Sequence, residues 1–133
     1  MNIIPALQAD ETKLVMFFEQ NDSLDSETLL KSGYVVEGDS EIEGCFALDL
    51  VEPDVYWLKQ LYITKSAANK LPFLLEAILV MAKEKRAKSV YVHSHQPVVD
   101  ILLDALQFNR QNNTSFVDNH PITKGNWWSY HVS

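Results

Sequence analysis

One helical run, Leu71–Ala87, constrains the fold of this chain more than any other feature. Leu71, Leu74, Leu75, Ile78 and Ala82 recur at helical spacing. Lys83, Lys85 and Arg86 sit in the last turns, where cations suit the helix dipole. Strand-like segments flank the run: Val55–Ile63 before it and the short, β-rich Ser89–His93 after it. Strand, helix and strand in that order make a crossover unit, so the two strands should be parallel and the connection right-handed.

The first half has a different pattern. Ile3, Ile4 and Leu7 suggest a short opening strand. Asp10 is a good N-cap for a helix over Glu11–Gln20, with Leu14, Val15, Phe17 and Phe18 as its apolar side. Asp25 or Ser26 can cap a second short helix through Leu29 and Leu30, with Gly33 as its stop. Tyr34–Glu37 reads as a strand and Gly38-Asp39-Ser40 as a turn. Ile42–Val51 alternates, with Ile42, Gly44, Phe46, Leu48 and Leu50 on one face. Pro53-Asp54 turns the chain into Val55–Ile63, which completes an antiparallel meander. After Ser89–His93, Pro97 fits the first position of a helix running to about Leu106. A hairpin over Ser115–Val117 and Trp127–Val132 closes the chain. No repeat, low-complexity tract or linker divides residues 1–133, so one α/β domain is expected.

Charge and composition remove several function classes. The formal net charge is −7, which disfavours nucleic acid as a partner, since phosphate binding needs a basic face. An acidic surface suits a cationic substrate such as an amine, and equally serves solubility. The longest apolar run, Ala77–Ala82, is far short of the ~20 residues of a membrane helix. The start, Met1-Asn2-Ile3-Ile4-Pro5, has neither the basic residues nor the long apolar stretch of a signal peptide. Cys45 is the only cysteine, so no internal disulfide forms; this fits a reducing, cytoplasmic compartment and a small buried hydrophobe.

The order of elements, β-α-α-β-β-β-α-β-α-β-β, resembles the GNAT fold of acyl-CoA-dependent N-acetyltransferases over nearly the whole chain. Leu58-Lys59-Gln60-Leu61-Tyr62-Ile63 is similar to that family's fourth strand and Ser89-Val90-Tyr91-Val92 to its fifth. Leu74-Leu75-Glu76-Ala77-Ile78 resembles the helix after the cofactor loop, and Leu102–Phe108 the helix that ends in the family's Gly-Phe. Apolar alternation slips by one residue near Lys59-Gln60, as at a β-bulge. A bulge there splays strands four and five in GNAT proteins, and the resemblance implies a V-shaped cleft lined by Leu61, Ile63, His93 and His95. A strand covered on both faces explains the same pattern.

The resemblance implies acetyl-CoA as co-substrate, with cofactor contacts from Leu61, Ile63, Lys65, Ser66, Asn69 and Lys70. The cofactor loop is altered. The family pattern Arg/Gln-x-x-Gly-x-Gly/Ala gives way to Thr64-Lys65-Ser66-Ala67-Ala68-Asn69-Lys70-Leu71-Pro72-Phe73, without a glycine. Pro72 has no N–H to offer a phosphate. Asn69 is the candidate N-cap, and Lys65 and Lys70 either supply phosphate charge or stand as solvated loop lysines. The family's catalytic tyrosine, five residues before the Phe of Gly-Phe, corresponds to Leu103, and Gln107 replaces the glycine.

His93 and His95 end the fifth strand on one face, and either suits acid or base chemistry near neutral pH. No spacing supplies a third metal ligand, so no metal is expected. Glu37, Asp39, Glu41 and Glu43 make an acidic hairpin that reads as facing solvent; Glu52 and Asp49 either belong to the same solvated surface or take the proton from an attacking amine. His95 is the candidate acid, and Glu52 and His95 are the expected catalytic pair. His120 and His131 carry less signal. The functional expectation is an N-acetyltransferase acting on a small-molecule amine or other acyl acceptor, without nucleic acid or membrane partners, a homodimer being one allowed assembly. The rival is a non-catalytic GNAT-like binding or regulatory domain. The two differ at Ser66–Phe73, where an enzyme needs accessible N–H groups.

Overall fold

The computed structural model describes residues 2–111 and 125–132. The expected hairpin strand Ser115–Val117 and His120 lie outside them. The elements follow the order read from the sequence. They are β1 (Asn2–Pro5), α1 (Glu11–Gln20), α2 (Ser26–Ser32), β2 (Gly33–Glu37), β3 (Ile42–Glu52) and β4 (Val55–Ile63), then α3 (Leu71–Glu84), β5 (Ser89–Ser94), α4 (Pro97–Ala105), β6 (Asn109–Gln111) and β7 (Asn126–His131). The strands form a mixed sheet in the order β1-β2-β3-β4-β5-β7-β6. Short 3-10 turns occupy Ala6–Gln8 and Lys65–Lys70.

The described residues form two compact units, divided within β3, β4 and α3. The first takes the chain up to Asp49 and Lys59–Leu74. Here the Asp10 carboxylate accepts from Lys13 N at the start of α1, and Asp25 accepts from Thr28 N at the start of α2. Both are the capping bonds that the sequence called for. The core of this unit comprises Leu14, Phe17, Leu29, Val35, Ile42, Cys45 and Ala47, with Tyr62 packed against it. Val15, expected on the apolar side of α1, is 49% exposed instead.

β1 and β3 both run antiparallel to β2. The β2–β3 register shifts at its end: Val36 faces Gly44 but Glu37 faces Ile42, so Glu43 is an extra residue on β3. All residues from Gly44 to Leu48 are buried, so the centre of β3 is covered on both faces rather than one. Leu50, expected on that apolar face, is 62% exposed. Gly44 is required by close approach, because a Cβ there would come within 2.7 Å of the Tyr62 carbonyl oxygen. The β3 end is further tied by Thr64 N donating to Glu43 O (2.8 Å).

The second unit takes Leu50–Leu58 and the described residues from Leu75 onward. Val55–Leu58 pairs in parallel with Ser89–Val92, as the crossover requires. β7 pairs with β5 along its whole length and with β6 on its other side. Among the described residues, the strand on the side of β7 away from β5 is β6, a short strand missing from the sequence expectation. Ile78, Ala82, Val90, Leu103 and Phe108 are buried.

Two helices end on residues that sequence rules do not favour. After α3, Ala87 N donates to Ala82 O and Arg86 N to Lys83 O, with Arg86 at φ +60. After α4, Phe108 N donates to Leu103 O and Gln107 N to Asp104 O, with Gln107 at φ +74. Both are Schellman endings, in which the left-handed residue is usually glycine. The α3 ending explains why that helix stops at Glu84 and not at the expected Ala87.

Candidate functional site

The segment after β4 is built differently from the expected loop. Gln60 sits at φ +56, which breaks the β4 alternation at the place where the apolar pattern slips. Two contacts hold it there: the Cys45 thiol donates to Gln60 O (3.3 Å), and Gln60 Oε1 accepts from Asp25 N (3.0 Å). Burial pushes the Cys45 thiol up to about 12, so it is a neutral donor at physiological pH. Leu61 and Ile63 beyond it are half-buried.

Lys65–Lys70 winds into a 3-10 turn that runs directly into α3. Ala67 N donates to Thr64 O (3.1 Å) and Leu71 N to Ala68 O, so these two amides are already engaged. Asn69 lies inside the turn rather than capping a helix. Lys65, Ser66 and Asn69 are exposed, and Thr64 Oγ1 lies 3.3 Å from Ser66 Oγ. Lys70 is not a free loop lysine: its ammonium donates to Glu43 Oε1 at 2.9 Å.

A polar groove of about 550 Å³ opens beside that ion pair, lined by Asn2, Lys13, Glu37, Gly38, Asp39, Glu43 and Lys70. The bulge aims Glu43 into it, and Gly38 leaves the room: a Cβ there would come within 2.7 Å of Glu43 Cγ. Sequence reading took Glu37, Asp39 and Glu43 for a hairpin facing solvent. Only the fold brings Lys13 and Lys70 to them.

In the second unit, His93 is half-buried and its ring meets Trp127 edge-on at 5.2 Å; Trp127 in turn lies 5.6 Å from Trp57. Ser94 ends β5, its hydroxyl accepting from Gln96 N (3.3 Å) and donating to Gln96 O (3.2 Å). His95 is therefore beyond the strand, exposed on the turn into α4, and does not share a strand face with His93 as expected. Gly125, at φ +89, packs so close to His93–His95 that no side chain fits there.

Glu52 and His95 are not brought together. Glu52 precedes Val55, which pairs with Ser89 at the start of β5, whereas His95 lies six positions further along. At about 3.3 Å per residue this separates them by roughly 20 Å, too far to serve one reacting centre. Asp49 is ion-paired with Lys59 (2.5 Å) and accepts from Ser32 Oγ (3.0 Å). Leu103, at the position of the family tyrosine, is 0% exposed. Sequence reasoning missed Asp100, which accepts from Trp128 Nε1 (2.8 Å) and Asn126 Nδ2 (3.3 Å) and so ties α4 to β7. Among the described residues, no three His, Cys, Asp or Glu side chains are grouped to hold a metal ion, and no helix is long and apolar enough to cross a membrane.

No protein-family model matches the sequence, and no curated protein does. Solved structures do. An acetyltransferase of the GNAT family from Staphylococcus aureus superposes with a TM-score of 0.72 at 14% identity, covering 99% of each chain. A Mycobacterium tuberculosis protein in complex with CoA gives 0.74 at 11% identity and 100% of each chain. The Campylobacter jejuni N-acetyltransferase PseH, in complex with acetyl-CoA, gives 0.73 at 12% identity and 99% of each chain. Element order, the parallel β4–β5 pair and these superpositions together establish that this chain has the GNAT acyl-CoA N-acyltransferase fold.

Proposed function

We propose that this chain is an acyl-CoA-dependent N-acetyltransferase acting on a small amine in the cytoplasm. The observation that carries the reading is the end-to-end match to structures solved with CoA or acetyl-CoA. Acetyl-CoA supplies the acetyl thioester; the amine nitrogen bonds to the acetyl carbon, the C–S bond breaks, and the amine loses a proton. In this reading Leu61 and Ile63 lie along the acyl arm, Lys65, Ser66 and Asn69 hold phosphate, and Lys70 adds to them only weakly while Glu43 engages it. With Ala67 and Leu71 amides engaged, these side chains replace the backbone donors that a glycine loop offers. His95, exposed beyond β5, protonates the leaving thiolate. Glu52, at the end of β3 and far from His95, is left out, and the amine proton passes to water. Positioning alone supports slow turnover.

The engaged amides and the Glu43–Lys70 pair also favour the rival reading, a non-catalytic binding domain. Calorimetric titration with acetyl-CoA, followed by acetyl transfer to a panel of amines, separates the two. The enzyme reading expects weak binding and slow transfer that His95→Ala reduces by about tenfold or more. Absence of both binding and transfer leaves the binding domain. Transfer unchanged in His95→Ala removes the histidine from the mechanism.

A further inference from the structure

The groove that Lys70 lines has a charge pattern that the acyl-CoA reading leaves unused, since Lys13, Glu37 and Asp39 have no part in that reading. Glu43 is satisfied by Lys70 at 2.9 Å, and one oxygen of Glu37 accepts from Asn2 Nδ2 at 2.6 Å. Among the described residues, the Lys13 ammonium and the Asp39 carboxylate have no ion-pair partner. Glu37 has only the neutral amide. The groove thus presents one unmatched cation and two unmatched anions along walls contributed by α1, β1, β2 and the turn after it. A polyphosphate would meet three carboxylates there, and an apolar ligand would strip water from five charges without replacing it. A ligand with two ammonium groups and one carboxylate complements all three open charges. At about 550 Å³ the groove is large enough for it.

We infer that this groove binds a free basic amino acid, with its carboxylate on Lys13 and its two cationic groups on Asp39 and Glu37. The test is calorimetric titration of the full chain with L-lysine. Pentylamine, hexanoate and cadaverine serve as probes that each lack part of the charge pattern. Saturable binding of L-lysine is expected at millimolar concentration or better, with each partial probe at least tenfold weaker. Lys13→Glu and Asp39→Asn should each weaken L-lysine at least threefold. Asp39 is exposed and Lys13 half-buried, and circular dichroism verifies that both variants fold. Lack of saturation at about 10 mM overturns the inference. Cadaverine binding as tightly as L-lysine overturns the role of Lys13, and with it the amino-acid assignment. L-lysine binding that both substitutions leave unchanged places the ligand elsewhere and overturns the site. Acetyl-CoA titrations on the same variants keep this outcome apart from the transferase reading.

Discussion

Replacing Glu43 by glutamine should strengthen acetyl-CoA binding. Lys70 cannot pair with Glu43 at 2.9 Å and neutralise a phosphate with full effect at once. The pair is partly exposed, with Lys70 at 45% and Glu43 at 18%, so its worth lies in the range of about 0.2–1 kcal/mol. Removing the carboxylate returns up to that amount to any phosphate Lys70 meets, or about a fivefold lower Kd at most. A cycle makes the argument sharper. Lys70→Met in the native background should change Kd little, because the lysine is already engaged. In the Glu43→Gln background the same change should cancel the gain. Titration calorimetry of the four proteins at low salt reads the coupling directly. If Glu43→Gln leaves the Kd unchanged while acetyl-CoA still binds, Lys70 is a structural tether of the 3-10 turn and no phosphate ligand.

Gln107→Gly should stabilise the protein by up to about 1.5 kcal/mol in urea unfolding. It removes a left-handed penalty of roughly 1–2 kcal/mol and gives back about 0.5–1 in chain entropy. Gln107→Ala should show no such gain, and equal stability of the two variants would refute the reasoning. Asp100→Ala should lower the urea midpoint by an amount equivalent to about 2 kcal/mol without changing the slope, since buried Trp128 loses a charged acceptor at 2.8 Å. An unchanged midpoint would mean that solvent replaces the carboxylate. Cys45 is raised from 9.0 to about 12 by burial, so the unfolded chain releases its proton first. Its contribution to stability is complete below pH 9 and is lost as pH rises from there towards 12. Cys45→Ala should flatten that part of the stability profile, and native Cys45 should react with a thiol reagent far more slowly than the unfolded chain at pH 8.

Local signals were legible wherever one residue type satisfies one geometric need. Asp10 and Asp25 cap helices because a short carboxylate reaches the third amide, and Pro97 starts α4 because its missing N–H is not needed there. The bounds of α1 and β4 follow directly. Signals failed where tertiary contacts override local preference. Arg86 and Gln107 occupy left-handed positions that reading by type assigns to glycine. β3 is buried on both faces, which alternation along one strand cannot reveal. The groove was illegible for another reason: Asn2, Lys13, Glu37 and Lys70 are far apart in the chain, and a bulge turns Glu43 towards them.

The departures from the family pattern act on one another. Where the GNAT pattern has Gly-Phe, Gln107 takes the left-handed position, which glycine would occupy without strain, and Phe108 is buried. The helix ending therefore survives the loss of glycine, and the register of α4 with it. In that register Leu103 is wholly enclosed, so a phenol at this place would need both extra volume and a partner for its hydroxyl. The leucine is thus a packing residue, not a vacated catalytic position awaiting a tyrosine. A general acid is worth about 10²–10⁴ in rate, and the proposed reaction assigns that part to His95, which is exposed on a turn. What the fold keeps is the ending and register of α4, and what it closes by packing is the place a phenol would need.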